Sequence, residues 1–237
     1  MTAPHVTLIT GGSGGIGAAT ARQLLRQGRK VAVTGRDGDR LKAFAQSVAG
    51  ELGSEHDLLT LVGHAADEDA VESAVATTVE WFGRLDAVVA NAGFADPDNL
   101  GGDDTSGWRE MVLTNVLGPA LLIRAALPAL KRTGGRIVLV GSVAGLVHTP
   151  GNLYGATKWA VTGLAENTRL MVTGDGVGVT LVAPGRTDTG FWDVVGQAPE
   201  GRLLTADQVA DSLTWAVNQP SGVDVNTVVI RPLGQPV

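Results

Sequence analysis

The chain has 237 residues, is 44% hydrophobic and 18% charged, and carries a formal net charge of −6. This length and composition allow one large domain with a substantial core and exclude gross disorder, and the acidic balance argues against nucleic acid or an anionic membrane surface as a partner. The sequence contains no cysteine, which excludes disulfides and thiolate catalysis.

Short apolar runs alternate with longer helical patterns along the chain. The predicted strands are residues 5–10, 30–35, 57–63, 85–93, 135–142, 177–185 and 224–232. The predicted helices are residues 15–28, 39–52, 67–83, 105–131, 153–173 and 205–218. The strand segments are continuously apolar, which is typical of strands buried on both faces of a parallel sheet. The pattern predicts a single domain over residues 1–237, a doubly wound α/β fold with a seven-stranded parallel sheet flanked by helices.

The glycine-rich run TGGSGGIG, residues 10–17, lies between the first predicted strand and the first predicted helix. It fits the G-x-S-x-G elbow of a hydrolase, with Ser13 as nucleophile, and also the G-x-G-x-x-G dinucleotide fingerprint from Gly12. A looser G-x-x-x-G-x-G pattern starts at Gly11. An elbow serine normally follows several strands, whereas the first strand-to-helix turn of a doubly wound sheet binds a dinucleotide pyrophosphate. The position therefore favours a dinucleotide site, and a tight turn without a ligand is the simpler alternative.

The second predicted strand ends in TGRD, residues 34–37. A site for NAD usually has an acidic residue here, which binds the 2′-hydroxyl of the adenosine ribose. Gly35 cannot fill that role, whereas Arg36 can bind a 2′-phosphate through charge-assisted hydrogen bonds and stack on adenine. These residues favour NADP(H) over NAD(H). The alternative is that Arg36 is a solvated loop residue and that Asp37 caps the next helix.

Tyr154 and Lys158 lie four residues apart in a predicted helix, so their side chains share one face. A phenol with its ordinary pKa of about 10 is a poor acid–base catalyst near neutral pH. A neighbouring ammonium group favours the phenolate and lowers that pKa, which suits the pair to moving a proton on and off a substrate oxygen. Ser142, at the end of the fifth predicted strand, is placed to polarise a carbonyl. Ordinary polar positions are the alternative for all three residues.

Asn115 lies in an apolar predicted helix, and Pro119 follows four residues later. Proline has no N–H to donate to the Asn115 carbonyl, and its ring crowds that carbonyl. We expect a kink here and a free main-chain carbonyl that a water molecule can bind. The alternative is a simple kink in which the Asn115 side chain makes a local contact to a neighbouring strand.

Together these features resemble the short-chain dehydrogenase/reductase family over essentially the whole chain. The resemblance is carried by TGGSGGIG (10–17), NAG (91–93), Asn115, Ser142, YGATK (154–158) and PG (184–185). It implies a Rossmann-type fold, a glycine register of Gly11, Gly15 and Gly17, and hydride transfer between NADP(H) and a carbonyl or secondary alcohol. The implied catalytic residues are Asn115, Ser142, Tyr154 and Lys158.

The resemblance also implies a role for each catalytic residue. Tyr154 would be the general acid in reduction or the base in oxidation, and Lys158 would bind the nicotinamide ribose and lower the Tyr154 pKa. Ser142 would hydrogen-bond the substrate oxygen, and the Asn115 carbonyl would hold a water that links Lys158 to solvent. The implied cofactor-binding residues are Gly11, Ser13, Gly15, Ile16, Gly17, Arg36, Asn91, Ala92, Gly93, Tyr154, Lys158, Pro184, Gly185, Thr187 and Thr189.

Three positions depart from the family pattern. His64 stands where an aspartate near adenine is common, with Asp67 three residues later, and either is a candidate adenine contact. Thr187 replaces an aliphatic residue, and the short stretch 190–203 leaves only a small lid within a substrate-loop region near 186–203.

The candidate substrate-pocket residues are Phe94, Leu146, His148, Phe191 and Trp192. Asp96, Asp98, Asp103 and Asp104 are predicted to form a solvated acidic rim rather than a metal site.

Residues 1–9 lack a secretory pattern, and no apolar stretch approaches the roughly 18 residues of a membrane span, so we expect a cytoplasmic protein without membrane or nucleic-acid partners. The apolar helices 105–131 and 153–173, with the family resemblance, predict a homodimer or homotetramer. The alternative to an enzyme with a small carbonyl or alcohol substrate is a non-catalytic cofactor sensor or scaffold on the same fold. The intact catalytic set argues against that alternative.

Overall fold

A computed structural model of the chain describes residues 4–53, 55–196 and 200–236. The strands are β1 (Val6–Thr10), β2 (Lys30–Gly35), β3 (Leu58–Val62), β4 (Ala87–Ala90), β5 (Arg136–Val140), β6 (Gly178–Pro184), β7 (Thr187–Asp188), β8 (Leu204–Thr205) and β9 (Thr227–Ile230). The α-helices are α1 (Gly15–Arg26), α2 (Gly38–Leu52), α3 (Glu68–Phe82), α4 (Trp108–Val112), α5 (Gly118–Thr133), α6 (Leu153–Val172), α7 (Phe191–Val195) and α8 (Ala206–Val217).

Seven strands form one parallel sheet in the order β3-β2-β1-β4-β5-β6-β9. From β1 the chain builds outward to β3, returns to pair β4 with β1, and then builds outward on the other side. Such a reversal opens a crevice at the carboxyl ends of the two central strands, which is where doubly wound sheets bind ligands. The predicted fold class is confirmed.

The sheet is covered by helices on both faces, as the continuously apolar strands predict. The neighbouring residues Leu8 and Ile9 of β1 point to opposite faces, and both are fully buried. Leu8 belongs to a core cluster with α3, α5 and α6, whereas Ile9 belongs to a second cluster with α1, α2 and α8. Burial of each large side chain contributes about 1.5–3 kcal/mol to folding, so the strand ends that hold the site are firmly fixed.

The long helix predicted over residues 105–131 is divided by a π-helical segment, Leu113–Leu117, between α4 and α5. The backbone N–H of Gly118 donates to the Leu113 carbonyl, five residues back. Pro119 explains the widened turn, because it cannot donate the α-helical hydrogen bond to the carbonyl of Asn115. The kink expected from the sequence is therefore a π-helical turn.

The predicted strands extend beyond the observed ones by up to three residues. The clearest case is the predicted strand 85–93, of which only β4 (Ala87–Ala90) belongs to the sheet. Residues 91–93 leave the sheet because the Asn91 amide group bonds to the turn after β1 instead of continuing the strand ladder. Sequence reasoning also missed the short parallel pair of β7 and β8 and the five-residue helix α7.

The segment Trp108–Thr133 is long and apolar enough to cross a membrane, with an 18-residue window of mean hydropathy 1.5, and the sequence expectation that no stretch approaches this length was wrong here. In that window 44% of the residues are buried, because α5 packs on the sheet and on α3.

Val112 and Leu117 are each 41% exposed, and Trp159 of α6 is 39% exposed. The predicted association of copies through these helices stays a prediction.

Candidate functional site

A cleft of about 990 Å³ opens at the carboxyl ends of the parallel strands. Its lining includes the turns after β1, β2, β4, β5 and β6, the start of α6, and α7. Polar groups from distant parts of the sequence meet here because parallel strands end at one edge of a sheet.

The turn after β1 has the backbone of a phosphate cradle. Gly11 and Gly15 have φ angles of +65° and +50°, in the left-handed region that glycine adopts without strain. A Cβ atom at Gly17 would lie 2.4 Å from the Gly11 carbonyl oxygen, so only glycine fits there. These constraints agree with the register Gly11, Gly15, Gly17. Ser13 lines the cleft beside Gly35, where β2 ends.

Asn91 fixes this turn against the end of β4. Its Nδ2 atom donates to the carbonyl oxygens of Thr10 and Gly11, at 2.9 and 3.0 Å. In return, the hydroxyl of Thr10 accepts hydrogen bonds from the backbone N–H groups of Asn91 and Ala92, each at 3.1 Å. These four hydrogen bonds hold the glycine turn against the end of β4.

The end of the cleft beside β2 is basic. Arg36 and Arg40 both line it, and the Arg40 guanidinium lies against Gly14, since a Cβ atom added there would be 3.0 Å from Nη2. Sequence reasoning missed Arg40, although its place in the first turn of the helix after β2 was the signal available. Asp37 caps α2 by accepting from the backbone N–H of Arg40 at 3.0 Å.

The two adenine candidates after β3 have different positions. His64 lines the cleft, whereas Asp67 caps α3 by accepting from the backbone N–H of Ala70 at 3.0 Å. Of the two candidates, only His64 is on the lining of the cleft.

Ser142, Tyr154 and Lys158 meet at the other end of the cleft. Asn152 starts α6 by accepting from the backbone N–H of Gly155 at 2.8 Å, which sets the first turn that carries Tyr154. The Ser142 side chain lies near enough to the Tyr154 hydroxyl to influence its pKa by hydrogen bonding. The Lys158 Nζ atom donates to the Val140 carbonyl at 3.0 Å and lies 5.7 Å from the centre of the Tyr154 ring.

The acid–base character of this pair is set mainly by burial. Burial raises the pKa of Tyr154 to about 12, and the hydrogen bond with Ser142 lowers it in part. Burial lowers the pKa of Lys158 to about 8. From the sequence we expected Lys158 to lower the Tyr154 pKa, whereas the net shift of that pKa in this structure is upward. The reason is that desolvation of the phenolate dominates while the ammonium group is directed to a backbone carbonyl.

Asn115 lies behind the cleft rather than on its lining. Its Oδ1 atom accepts from the Phe94 backbone N–H at 3.0 Å, and its Nδ2 atom donates to the Phe94 carbonyl at 2.9 Å and to the Thr157 hydroxyl at 3.0 Å. Thr157 is the residue before Lys158. The Asn115 side chain therefore ties the loop after β4 to α6, the helix that carries Tyr154 and Lys158.

Aromatic side chains cover the Tyr154 end. The Phe191 ring lies 5.6 Å from the Tyr154 ring, and Trp192 packs edge-on against Phe191 at 5.2 Å. The Trp192 Nε1 atom donates to the Thr187 carbonyl at 2.7 Å. The parallel pair of β7 and β8 closes the base of this loop, whose residues 197–199 lie outside the described part.

The predicted substrate residues divide into two groups. Phe94, Phe191 and Trp192 line the cleft, but Leu146 and His148 do not. His148 instead stacks on Trp159 at 5.1 Å on the exposed side of α6, so its separation of six residues from Ser142 was a misleading signal.

Almost all predicted cofactor residues line the cleft. They are Gly11, Ser13, Gly15, Ile16, Arg36, Asn91, Ala92, Gly93, Tyr154, Lys158, Pro184, Gly185, Thr187 and Thr189. Gly17 lies beneath the turn instead, against Gly11. The Thr187 hydroxyl turns back to donate to the Gly185 carbonyl at 3.0 Å, so its unusual side chain stabilises its own turn. A glycine cradle, guanidinium groups at one end and a buried ammonium group at the other fit a nicotinamide dinucleotide.

Comparison with known proteins agrees with this geometry. The sequence model of the short chain dehydrogenase family matches residues 5–200. Serine 3-dehydrogenase of Agrobacterium fabrum is 34% identical to this chain in an alignment that covers 96% of this chain and 94% of that protein. An alcohol dehydrogenase from the archaeon Thermococcus sibiricus, complexed with 5-hydroxy-NADP, has a TM-score of 0.88 at 30% identity, covering 98% of this chain and 97% of its own. A 3-ketoacyl-(acyl-carrier-protein) reductase from Brucella melitensis, complexed with NADH, has a TM-score of 0.85 at 27% identity, with 97% of each chain covered.

Proposed function

Because the chain belongs to the short-chain dehydrogenase/reductase family, whose members are oxidoreductases, we propose that it transfers a hydride between NADP(H) and a carbonyl or secondary alcohol substrate. The observation that carries this proposal is the meeting of Ser142, Tyr154 and Lys158 in one cleft with the glycine turn. A module that only bound the cofactor would need no phenol beside a buried ammonium group.

The preference for NADP(H) is supported by charge. Arg36 and Arg40 line the end of the cleft beside Gly35, where an NAD site would have an acidic side chain. Two guanidinium groups offer several donors to a 2′-phosphate, and a 2′-hydroxyl has no charge for them to bind. The related structures hold cofactors of both kinds, one with 5-hydroxy-NADP and one with NADH. The preference for NADP(H) is therefore inferred from the residues of this chain alone.

The cofactor, when bound, supplies or accepts the hydride. The Tyr154 hydroxyl donates its proton to the substrate oxygen during reduction and accepts it during oxidation. The Ser142 hydroxyl donates a hydrogen bond to that same oxygen and polarises the C=O bond. The Lys158 ammonium group holds the nicotinamide ribose and stabilises the phenolate that forms. Asn115 positions this helix, and its main-chain carbonyl holds a water that connects Lys158 to solvent.

Substrate selection is assigned to Phe94, Phe191 and Trp192. These aromatic side chains line the Tyr154 end of the cleft, and two of them belong to the loop region near 186–203. An apolar group beside the reacting carbon is therefore the expected substrate feature.

Turnover on a panel of ketones and aldehydes tests the proposed reaction. We expect the purified protein to oxidise NADPH with at least one member of the panel. The loss of absorbance of the reduced nicotinamide measures this turnover. Failure to bind either NADPH or NADH would overturn the proposal. Binding of a cofactor without turnover on a broad panel would favour the sensor or scaffold alternative.

The variant Arg36→Ala tests the cofactor preference. A charge-assisted hydrogen bond contributes about 1.5–3 kcal/mol, so the Kd for NADPH is expected to rise about tenfold or more while that for NADH changes by about twofold or less. Titration of the nicotinamide fluorescence measures both constants. Arg132→Ala is the matched control, because this exposed arginine donates to the Pro128 carbonyl of its own helix. Equal losses for the two cofactors would contradict the 2′-phosphate assignment.

A further inference from the structure

The carboxylate of Glu110 lies beside the basic end of the cleft, and the proposed chemistry gives it no role. Its Oε1 atom is 2.6 Å from Nε2 of His64, 3.2 Å from the hydroxyl of Thr114 and 3.7 Å from Nη1 of Arg36. Glu110 is on α4, whereas Arg36 follows β2 and His64 follows β3. The carboxylate thus joins three separate parts of the chain at the position where the adenosine end of a dinucleotide would lie.

The geometry of His64 holds Glu110 in this place. The Nδ1 atom of His64 accepts a hydrogen bond from the Ala66 backbone N–H at 3.1 Å, so the ring proton belongs on Nε2. Nε2–H then donates to Glu110, and the hydroxyl of Thr114 donates to the same oxygen. These two bonds keep the carboxylate beside Arg36. The position of Glu110 therefore does not depend on the longer and weaker ion pair with the guanidinium group.

We infer that Glu110 is a specificity-determining residue that weakens the preference for NADP(H) by acting through Arg36. This inference rests on the proposed function, in which Arg36 binds the 2′-phosphate. The carboxylate and the phosphate are anions that compete for one guanidinium group, so an arginine paired with Glu110 has less of its charge available to the phosphate. NAD(H) has a hydroxyl at this position, so its binding gains nothing from the removal of the carboxylate charge.

The other acidic groups near this end are committed elsewhere. Asp37 caps α2, and Asp67 caps α3. Neither has an ion pair with Arg36 among the contacts of the described residues, whereas Glu110 does. Glu110 is therefore the carboxylate whose charge Arg36 experiences most directly.

The variant Glu110→Gln tests this inference, because it removes the charge and keeps an acceptor for His64. Exposed ion pairs are weak, so the Kd for NADPH is expected to fall by about two- to fivefold at low ionic strength, and by less in high salt. The Kd for NADH should change by less than about 1.5-fold, because its 2′-hydroxyl has no charge that could compete with Glu110 for Arg36. Glu110→Asp, which shortens the reach to Arg36, should change NADPH binding in the same direction. Glu68→Gln is the matched control, since Glu68 pairs with Arg124 on the surface of α3 and α5.

The double variant Arg36→Ala, Glu110→Gln separates this inference from the proposed function. If Glu110 acts through Arg36, the gain in NADPH affinity disappears in the Arg36→Ala background. A gain that persists there, a gain shared equally by NADH, or no gain in either Glu110 variant would each overturn the inference. If Arg36→Ala alone leaves NADPH binding unchanged, the cofactor assignment itself has failed. Thermal unfolding of each variant verifies that a comparison is made between folded proteins.

Discussion

Replacement of Tyr154 by phenylalanine is expected to lower kcat/KM for carbonyl reduction by about 10²- to 10⁴-fold, the usual contribution of a general acid. Phenylalanine keeps the ring that packs against Phe191 at 5.6 Å and removes only the hydroxyl that meets Ser142. The proton for the substrate oxygen would then have to come from water. Steady-state rates with NADPH and the best ketone of the panel measure the effect.

Two controls make this result specific to proton transfer. The Kd for NADPH should stay within about twofold of the wild-type value, because the cofactor cradle and Lys158 are unchanged. Tyr154 is the only tyrosine in the chain, so the variant contains no phenol and its ultraviolet absorbance is a direct background for a pH titration of the wild-type residue. Activity within about tenfold of wild type would remove Tyr154 from the catalytic role, since a general acid contributes more than that.

The fold follows from local features of the sequence to a large degree. The apolar strand segments and the helices between them predict a doubly wound parallel sheet. A strand buried on both faces needs apolar side chains at consecutive positions, and Leu8 and Ile9, which belong to the two different core clusters, are an example. The ends of elements are less predictable. Residues 91–93 follow β4 directly and were predicted to continue it, but Asn91 bonds to the distant end of β1 and the turn after it, and the three residues lie outside the sheet.

The candidate site was predictable where the spacing along the chain fixes the geometry. Tyr154 and Lys158 share a helix face, and the glycine turn is a local structure. Contacts between distant segments were not predictable in the same way. The pairing of Glu110 with His64 and Arg36 depends on how α4 is placed beside two strand ends. The stacking of His148 on Trp159 depends on how the chain turns after Ser142, and nothing in the local residues sets that direction.

Replacement of Lys158 by methionine is expected to abolish most activity and yet to raise the melting temperature of the cofactor-free protein. Lys158 is 5% exposed, and its single hydrogen bond in the described structure, to the Val140 carbonyl, does not offset the loss of water around the ammonium group. The lowering of its pKa from 10.5 to about 8 corresponds to a destabilisation on the order of 3 kcal/mol at neutral pH. The variant removes this destabilisation, but it also leaves the Val140 carbonyl without its partner, which costs about 1–2 kcal/mol. We therefore expect the melting temperature to rise by roughly 2–6 °C for a chain of this size.

The pH dependence gives this prediction its sign. Below about pH 8 the amine is protonated in both the folded and the unfolded chain, and the full destabilisation by burial is present. Between about 8 and 10.5 the unfolded chain binds more protons than the folded one, so the stability of the wild type rises with pH. The advantage of Lys158→Met should therefore be greatest below pH 8 and shrink as the pH approaches 10.5.

Differential scanning calorimetry of the wild type and of Lys158→Met across this pH range measures the effect. Lys131→Met is the matched control, because this exposed lysine pairs with Asp175 at 2.8 Å and its removal should change stability by about 0.5 kcal/mol or less. A lower melting temperature for Lys158→Met at pH 7, or a difference that does not vary with pH, would mean that the ammonium group is well accommodated in the folded protein. A stability gain that accompanies loss of activity would instead identify Lys158 as a charge buried for its chemistry, held ready for a ligand that completes its hydrogen bonds.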